Sequence, residues 1–184
     1  MEQIKLGKRI MIIGSCGAGK STLAIQLYEI INIPIIHLDK EYWKPGWVEP
    51  NKDEWHEKQS KLVDGESWII DGNYGGSFDI RFSKADTIIF LDYNRYICLF
   101  RLFERWLQYR GKNRIDMGEG CNEKIPELSF IKFVLEFPKK SRPKIIDKMN
   151  EYKKIEKIIL KNPKETKKFL IEINNCIKNS KNCV

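Results

Sequence analysis

Residues 14 to 21 read Gly14-Ser15-Cys16-Gly17-Ala18-Gly19-Lys20-Ser21, with Thr22 next, and they follow directly on the apolar run Ile10-Met11-Ile12-Ile13. The spacing is G-x-x-x-x-G-K-[ST]. Its glycines let successive backbone N–H groups turn inward around a phosphate, its lysine supplies a point charge, and the Ser21 hydroxyl a magnesium ligand. Behind the loop, Leu23, Ala24, Leu27, Tyr28 and Ile31 fall at helical spacing, so the positive end of a helix points at the bound anion. Strand, loop and helix in this order restrict the chain to α/β architectures with a buried parallel sheet.

The rest of the sequence repeats that alternation. Strands are expected at Lys8–Ile13, Ile35–Leu38, Ser67–Gly72, Asp86–Asp92 and Ile155–Leu160. Helices are expected over the stretch from the loop to Asn32, at Asn51–Asp64, from Asn94 to about Arg110, at Glu127–Phe137, within Pro138–Lys153, and from Pro163 to about Ile177. The outcome is a three-layer α/β/α fold of the P-loop NTPase class with a parallel sheet of about five strands. At 184 residues one core suffices, and 1–184 is expected to be a single domain. No apolar run approaches the ~18 residues of a membrane span. Met1 to Lys8 is mixed polar and lacks a secretory pattern, so a cytoplasmic protein is expected.

The five cysteines are odd in number and never in C-x-x-C spacing, which reads as free thiols. Cys16 lies within the loop, where Lys20 and a helix N-terminus favour a lowered thiol pKa; the plainer reading is a small residue at a variable position. The net charge of +8 invites a nucleic-acid partner. However, residues 1–138 carry 19 Lys/Arg against 20 Asp/Glu, whereas 139–184 carry 14 against 5. The excess is C-terminal and spread over helical segments, which reads as a solvated face, so nucleic acid is not favoured.

Ligands of open α/β sheets gather outside the carboxyl ends of the strands. Asp39, just past the second strand, suits a carboxylate that orients or deprotonates an acceptor hydroxyl, while His37 reads as packed. Tyr42, Trp43 and Trp47 either shape an acceptor pocket or pack as a surface flap. Asp71, ending the third strand, suits the water shell of a magnesium ion beside a nucleotide. Arg81 is either a phosphate-binding guanidinium or a surface arginine. Arg101 and Arg105 share one helix face and suit neutralisation of a transferred phosphoryl group. Gly111 to Pro126 has little periodicity and reads as a mobile, lid-like loop, about 110–126, that closes over a nucleotide.

Together the loop, His37-Leu-Asp with Tyr-Trp-x-Pro-Gly-Trp47, Trp68-Ile-Ile-Asp-Gly-Asn-Tyr74, Ala85-Asp-x-Ile-Ile-Phe-Leu-Asp92, Arg101-x-x-x-Arg105 and Gly120-Cys-x-Glu123 resemble the topology modulation protein family. That family is a relative of adenylate kinase among P-loop kinases, and the resemblance runs over about residues 8 to 175. It implies that Asp71-Gly72 matches the Asp-Gly ending the third strand of nucleoside monophosphate kinases. By the same likeness Arg81 stands at an acceptor-binding position, and Arg101 and Arg105 contact ATP at the lid. Two departures are the aromatic stretch in place of a nucleotide-binding helical insert, and Asn94 where the family has proline. The resulting expectation is an enzyme that binds ATP and Mg2+ at Gly14 to Thr22. Its γ-phosphoryl passes to a small-molecule or nucleotide acceptor held by Asp39, Tyr42, Trp43, Trp47, Asp71 and Arg81. The alternatives are an ATP-dependent DNA-binding regulator affecting DNA topology and, more weakly, a GTPase, for which no base-specifying Asn-Lys-x-Asp follows a late strand.

Overall fold

The computed structural model describes residues 6–181. In chain order the elements are β1 (Arg9–Gly14), α1 (Lys20–Ile31), β2 (Ile35–His37), α2 (Leu38–Tyr42), α3 (Lys52–Leu62), β3 (Trp68–Asp71), α4 (Phe78–Phe82), β4 (Thr87–Leu91), α5 (Arg95–Tyr109), α6 (Leu128–Lys140), α7 (Arg142–Glu151), β5 (Glu156–Leu160) and α8 (Pro163–Lys181).

All strand pairs are parallel, in the order β2-β3-β1-β4-β5. β1 is central because Ile10 to Ile13 are apolar on both faces, and none of the four is exposed to water. Successive residues of β1 feed opposite cores. Ile10 and Ile12 pack with Leu23, Leu27, Leu102 and Phe169 from α1, α5 and α8. Met11 and Ile13 pack with Trp55, Phe82, Ile145 and Met149 from α3, α4 and α7. Each such side chain contributes about 1.5–3 kcal/mol relative to exposure, which holds the helices to both faces. The result is the three-layer α/β/α arrangement.

Local signals set the ends of the elements. Asn32 closes α1 in the left-handed conformation (φ 53°), its N–H donating to the Tyr28 carbonyl, and Pro34 follows. Asn51 caps α3 by accepting from the Glu54 N–H at 2.8 Å, and Asn94 caps α5 by accepting from the Tyr96 N–H at 2.9 Å. β2 stops one residue short of the expected Leu38. It is an edge strand whose ladder with β3 ends at the His37–Asp71 register, and beyond that point the backbone satisfies itself as the short α2.

The segment read as a lid-like loop carries pairing of its own. Residues 110–123 form a doubled-back turn with bridges Arg110–Glu123 and Asn113–Asn122, and bury Met117, Cys121 and Glu123. The turn leans on the aromatic stretch. The Cys121 Sγ donates to the Lys44 carbonyl at 3.3 Å, the Trp47 Nε1–H donates to the Asn122 carbonyl at 3.2 Å, and a side chain at Gly118 would collide with the Trp43 carbonyl. No helix among the described residues is long and apolar enough to cross a membrane.

Candidate active site

The phosphate loop leaves the carboxyl end of β1 and bends back into α1 through two left-handed glycines, Gly17 (φ 79°) and Gly19 (φ 94°). Gly17 has no substitute: a Cβ there would stand 2.2 Å from the Cys98 carbonyl of α5. Lys20 curls over the loop, its Nζ donating to the Gly14 and Ser15 carbonyls at 3.2 and 3.1 Å. Arg101 reaches across from α5 and donates from Nη1 to the Ala18 carbonyl at 3.2 Å. Both cations therefore sit on the loop. Ser21 is partly buried at the start of α1, and Thr22 beside it is exposed.

Cys16 does not have the lowered pKa that its position suggested. Burial pushes the thiol up, and the positive charge of Lys20 does not offset it. Burial likewise pushes the neighbouring Cys98 up to about 11. Among the described residues Cys16, Cys98 and Cys121 form no disulfide.

One residue next to the loop was not singled out in the sequence. Asn73, two past Asp71, clasps Gly14 from both sides, accepting from its N–H at 3.0 Å and donating to its carbonyl at 2.7 Å. A short amide just beyond a strand's carboxyl end, in Asp-Gly-Asn, is the signal that marks it. The clasp joins the β3 turn to the first glycine of the phosphate loop.

Asp71 is buried, and its Oδ1 lies 2.6 Å from Nδ1 of His37, its register partner on β2. Burial alone would lower the His37 pKa, but the hydrogen bond and the charge of Asp71 outweigh it and hold the imidazole above its ordinary value. His37 is thus more than packing. Asp39, in the first turn of α2, accepts from the Tyr74 hydroxyl at 2.7 Å. Burial and the Asp39 carboxylate raise the Tyr74 pKa strongly, so the phenol stays a donor.

Arg81 is a correction. It is not at an acceptor cleft but fully buried, donating to the Gly72 carbonyl at 2.9 Å, the Tyr74 carbonyl at 3.0 Å and the Asn73 carbonyl, with the Phe78 ring 5.1 Å away. Its terminal amino groups donate to the turn that carries Asn73 and Tyr74, while its Nε is buried without a hydrogen-bond partner among the described residues. The aromatic residues are also largely committed to one another. Tyr42 packs its ring against Trp43, Trp55 and Tyr74 at 4.6–5.0 Å, and Trp43 stands 5.3 Å from Trp47.

Arg105, one turn further along α5, donates from its Nε to Glu123 Oε1 at 3.0 Å. Glu123 Oε2 lies 3.1 Å from the Nε of buried Arg114. Between α2 and the 110–123 turn is an open cavity of about 380 Å³ lined by Lys40, Asn113, Arg114, Ile115, Met117 and Glu119.

No group of three or more His, Cys, Asp and Glu side chains gathers as a metal site among the described residues. The donors present still fit magnesium, which takes one or two carboxylates, a hydroxyl and the nucleotide's own phosphates. Asp71 ends β3 beside the loop, and the Ser21 hydroxyl opens α1.

A parallel sheet, a phosphate loop after its central strand and helices on both faces define a P-loop NTPase fold. Solved structures similar to this chain include kinases. They include a shikimate kinase from Acinetobacter baumannii in complex with shikimate (TM-score 0.59, 16% identity, 94% of this chain and 93% of that one). A gluconokinase from Sinorhizobium meliloti 1021 (0.54, 13%, 96% and 97%) and a shikimate kinase from Aquifex aeolicus (0.50, 21%, 94% and 97%) are also similar. At these identities the likeness is one of fold. No protein-family model matches the sequence, and no curated protein sequence matches it.

Proposed function

We propose that the chain is an ATP-dependent phosphotransferase: a single P-loop kinase domain with residues 110–126 as its lid, which moves the γ-phosphoryl of ATP to the hydroxyl of a small acceptor. The observation that carries this reading is the placement of Lys20 and Arg101 on the phosphate loop, at the same sheet edge from which Asp39 and Asp71 emerge. Phosphoryl transfer asks for positioning and charge neutralisation more than covalent chemistry, and this edge supplies both.

In this reading the backbone of Gly14, Ser15, Cys16, Gly17, Ala18 and Gly19 wraps the phosphates with Ser21 and Thr22 at the helix end. Lys20 exchanges its two loop carbonyls for phosphate oxygens. Ser21 and Asp71 are the residues that would hold Mg2+, which would supply positive charge to offset that of the phosphates. Asp39, its Oδ1 already occupied by Tyr74, aligns the acceptor hydroxyl and takes its proton on Oδ2. Tyr42, Trp43 and Trp47 form a wall of the acceptor side, Arg101 and Arg105 offset developing negative charge, and Arg81 steadies the turn beneath them.

We also infer kinship with the topology modulation protein family. It is supported by the way the shared motif residues meet: Gly46 with Gly120, and Glu123 with Arg105. The test is phosphoryl transfer from γ-labelled ATP across a panel of hydroxy acids, sugars, nucleosides and nucleoside monophosphates, shikimate and gluconate included. Transfer to one acceptor class is expected, reduced at least about 100-fold in Lys20→Ala. Tight ATP binding with no transfer to any acceptor would sink the proposal.

A further inference from the structure

Glu123 belongs to the Gly120-Cys-x-Glu123 motif, yet nothing in the catalytic reading uses it. It is 5% exposed, and a carboxylate that far from water needs partners. Its two oxygens divide between two guanidiniums, Oε1 to Arg105 of α5 and Oε2 to Arg114 of the 110–123 turn. The Arg105 Nε–H donates to Oε1 at 3.0 Å, whereas Arg114 is held as an ion pair, its buried Nε lying 3.1 Å from Oε2 and 3.7 Å from Asp116 Oδ1 without a hydrogen bond.

The carboxylate is itself fixed. The Glu123 N–H donates to the Lys112 carbonyl at 2.9 Å, and its carbonyl accepts from the Gly111 N–H at 3.1 Å. A guanidinium is planar, so seizing Nε sets the plane and direction of its two terminal amino groups. Without the carboxylate, two adjacent cations would repel and swing apart. Both guanidiniums also act electrostatically on Cys16, which places their charge within reach of the phosphate loop.

We propose that Glu123 is a positioning residue: its hydrogen bond to Arg105 Nε and its ion pair with Arg114 hold the two guanidiniums side by side, so that both grip the phosphates of a bound nucleotide. With Arg101 on the loop, this makes a three-arginine anion grip assembled from α5 and the 110–123 turn. It adds Arg114 to the phosphate-binding set. The inference rests on the nucleotide-binding reading above.

The opposite role for Glu123 is a counter-ion that merely occupies the arginines, and the two differ in sign. Glu123→Gln makes the site one charge more positive. A counter-ion's removal strengthens anion binding; a positioning residue's removal weakens it. Calorimetric titration of the full chain with ATP and with adenosine reads the difference, with thermal unfolding as the check on folding. We expect about tenfold weaker ATP binding in Glu123→Gln, adenosine binding unchanged, and a smaller loss in Glu123→Asp. Equal or tighter ATP binding in Glu123→Gln overturns the inference, and so does an equal loss for adenosine. Should Glu123→Gln fail to fold, Arg114→Lys decides. It keeps the charge but lacks the fork, so ATP binding about tenfold weaker supports the grip and unchanged binding overturns it. If the wild-type chain binds no ATP, the nucleotide reading falls and takes this inference with it; if it binds and the variants match it, only the inference falls.

Discussion

His37 and Asp71 show how one register position turns a packed residue into a charged pair. The ladder of β2 on β3 makes them direct partners, and Nδ1 comes to 2.6 Å from the carboxylate. Because the folded pKa of His37 is raised above its unfolded value of about 6.5, its contribution is fully present below that value. It is lost as pH rises through the folded pKa. In thermal unfolding from about pH 6 to about pH 9, wild type is therefore expected to exceed His37→Gln most at the acid end, on the order of 3 kcal/mol, with the gap narrowing toward the alkaline end. A gap that does not vary with pH would show that the imidazole is uncharged in the pair. The sequence marked both residues but not their meeting, since strand pairing is a long-range choice that local spacing does not encode. Arg81 is the converse case. The sequence left it between a phosphate-binding guanidinium and a surface arginine, and only the fold reveals three carbonyls of the β3 turn closing on it.

At the scale of elements, strands and helices were readable because each is written in apolar periodicity, and the phosphate loop because its glycines and lysine lie at fixed offsets. The 110–123 turn was not readable in that way. Its order comes from a buried carboxylate, single buried side chains at Met117 and Cys121, and contacts with residues some 70 positions earlier, none of which leaves a period in the sequence. Gly118 is the tightest of these contacts, since an added Cβ would lie 2.2 Å from the Trp43 carbonyl, and a backbone atom cannot yield as a flexible side chain does. Gly118→Ala is expected to lift the turn off α2. Thermal unfolding should show a loss of about 1–3 kcal/mol, and limited proteolysis should show new cleavage confined to 111–126. Uniform cleavage, or none, would mean that the turn does not depend on this contact.

At the scale of the whole molecule the distribution of charge decides between partners. Residues 1–138, which hold the phosphate loop, both site carboxylates and all three arginines of the proposed grip, sum to −1. Residues 139–184 sum to +9. Several of those later cations are paired in the fold: Arg142 grips Asp92 in a fork at 2.8–2.9 Å, and Lys148 reaches Asp79 at 2.6 Å. A regulator that binds DNA under ATP control needs its basic surface coupled to the nucleotide site through an element with two arrangements. Here the positive excess is spread from the end of α6 through α8 and the segments between them, while the elements meeting at the phosphate loop are β1, α1, β3 and α5. Binding to a labelled duplex, followed by fluorescence anisotropy, is thus expected to be weak. It should fall by at least about tenfold between low and near-physiological salt, as counterion release dictates. It should also be the same with and without saturating ATP. A change in DNA affinity of about fivefold or more on adding ATP would demonstrate coupling between the two regions and restore the regulatory reading, because coupling of that size requires a free-energy difference the static charge pattern does not provide.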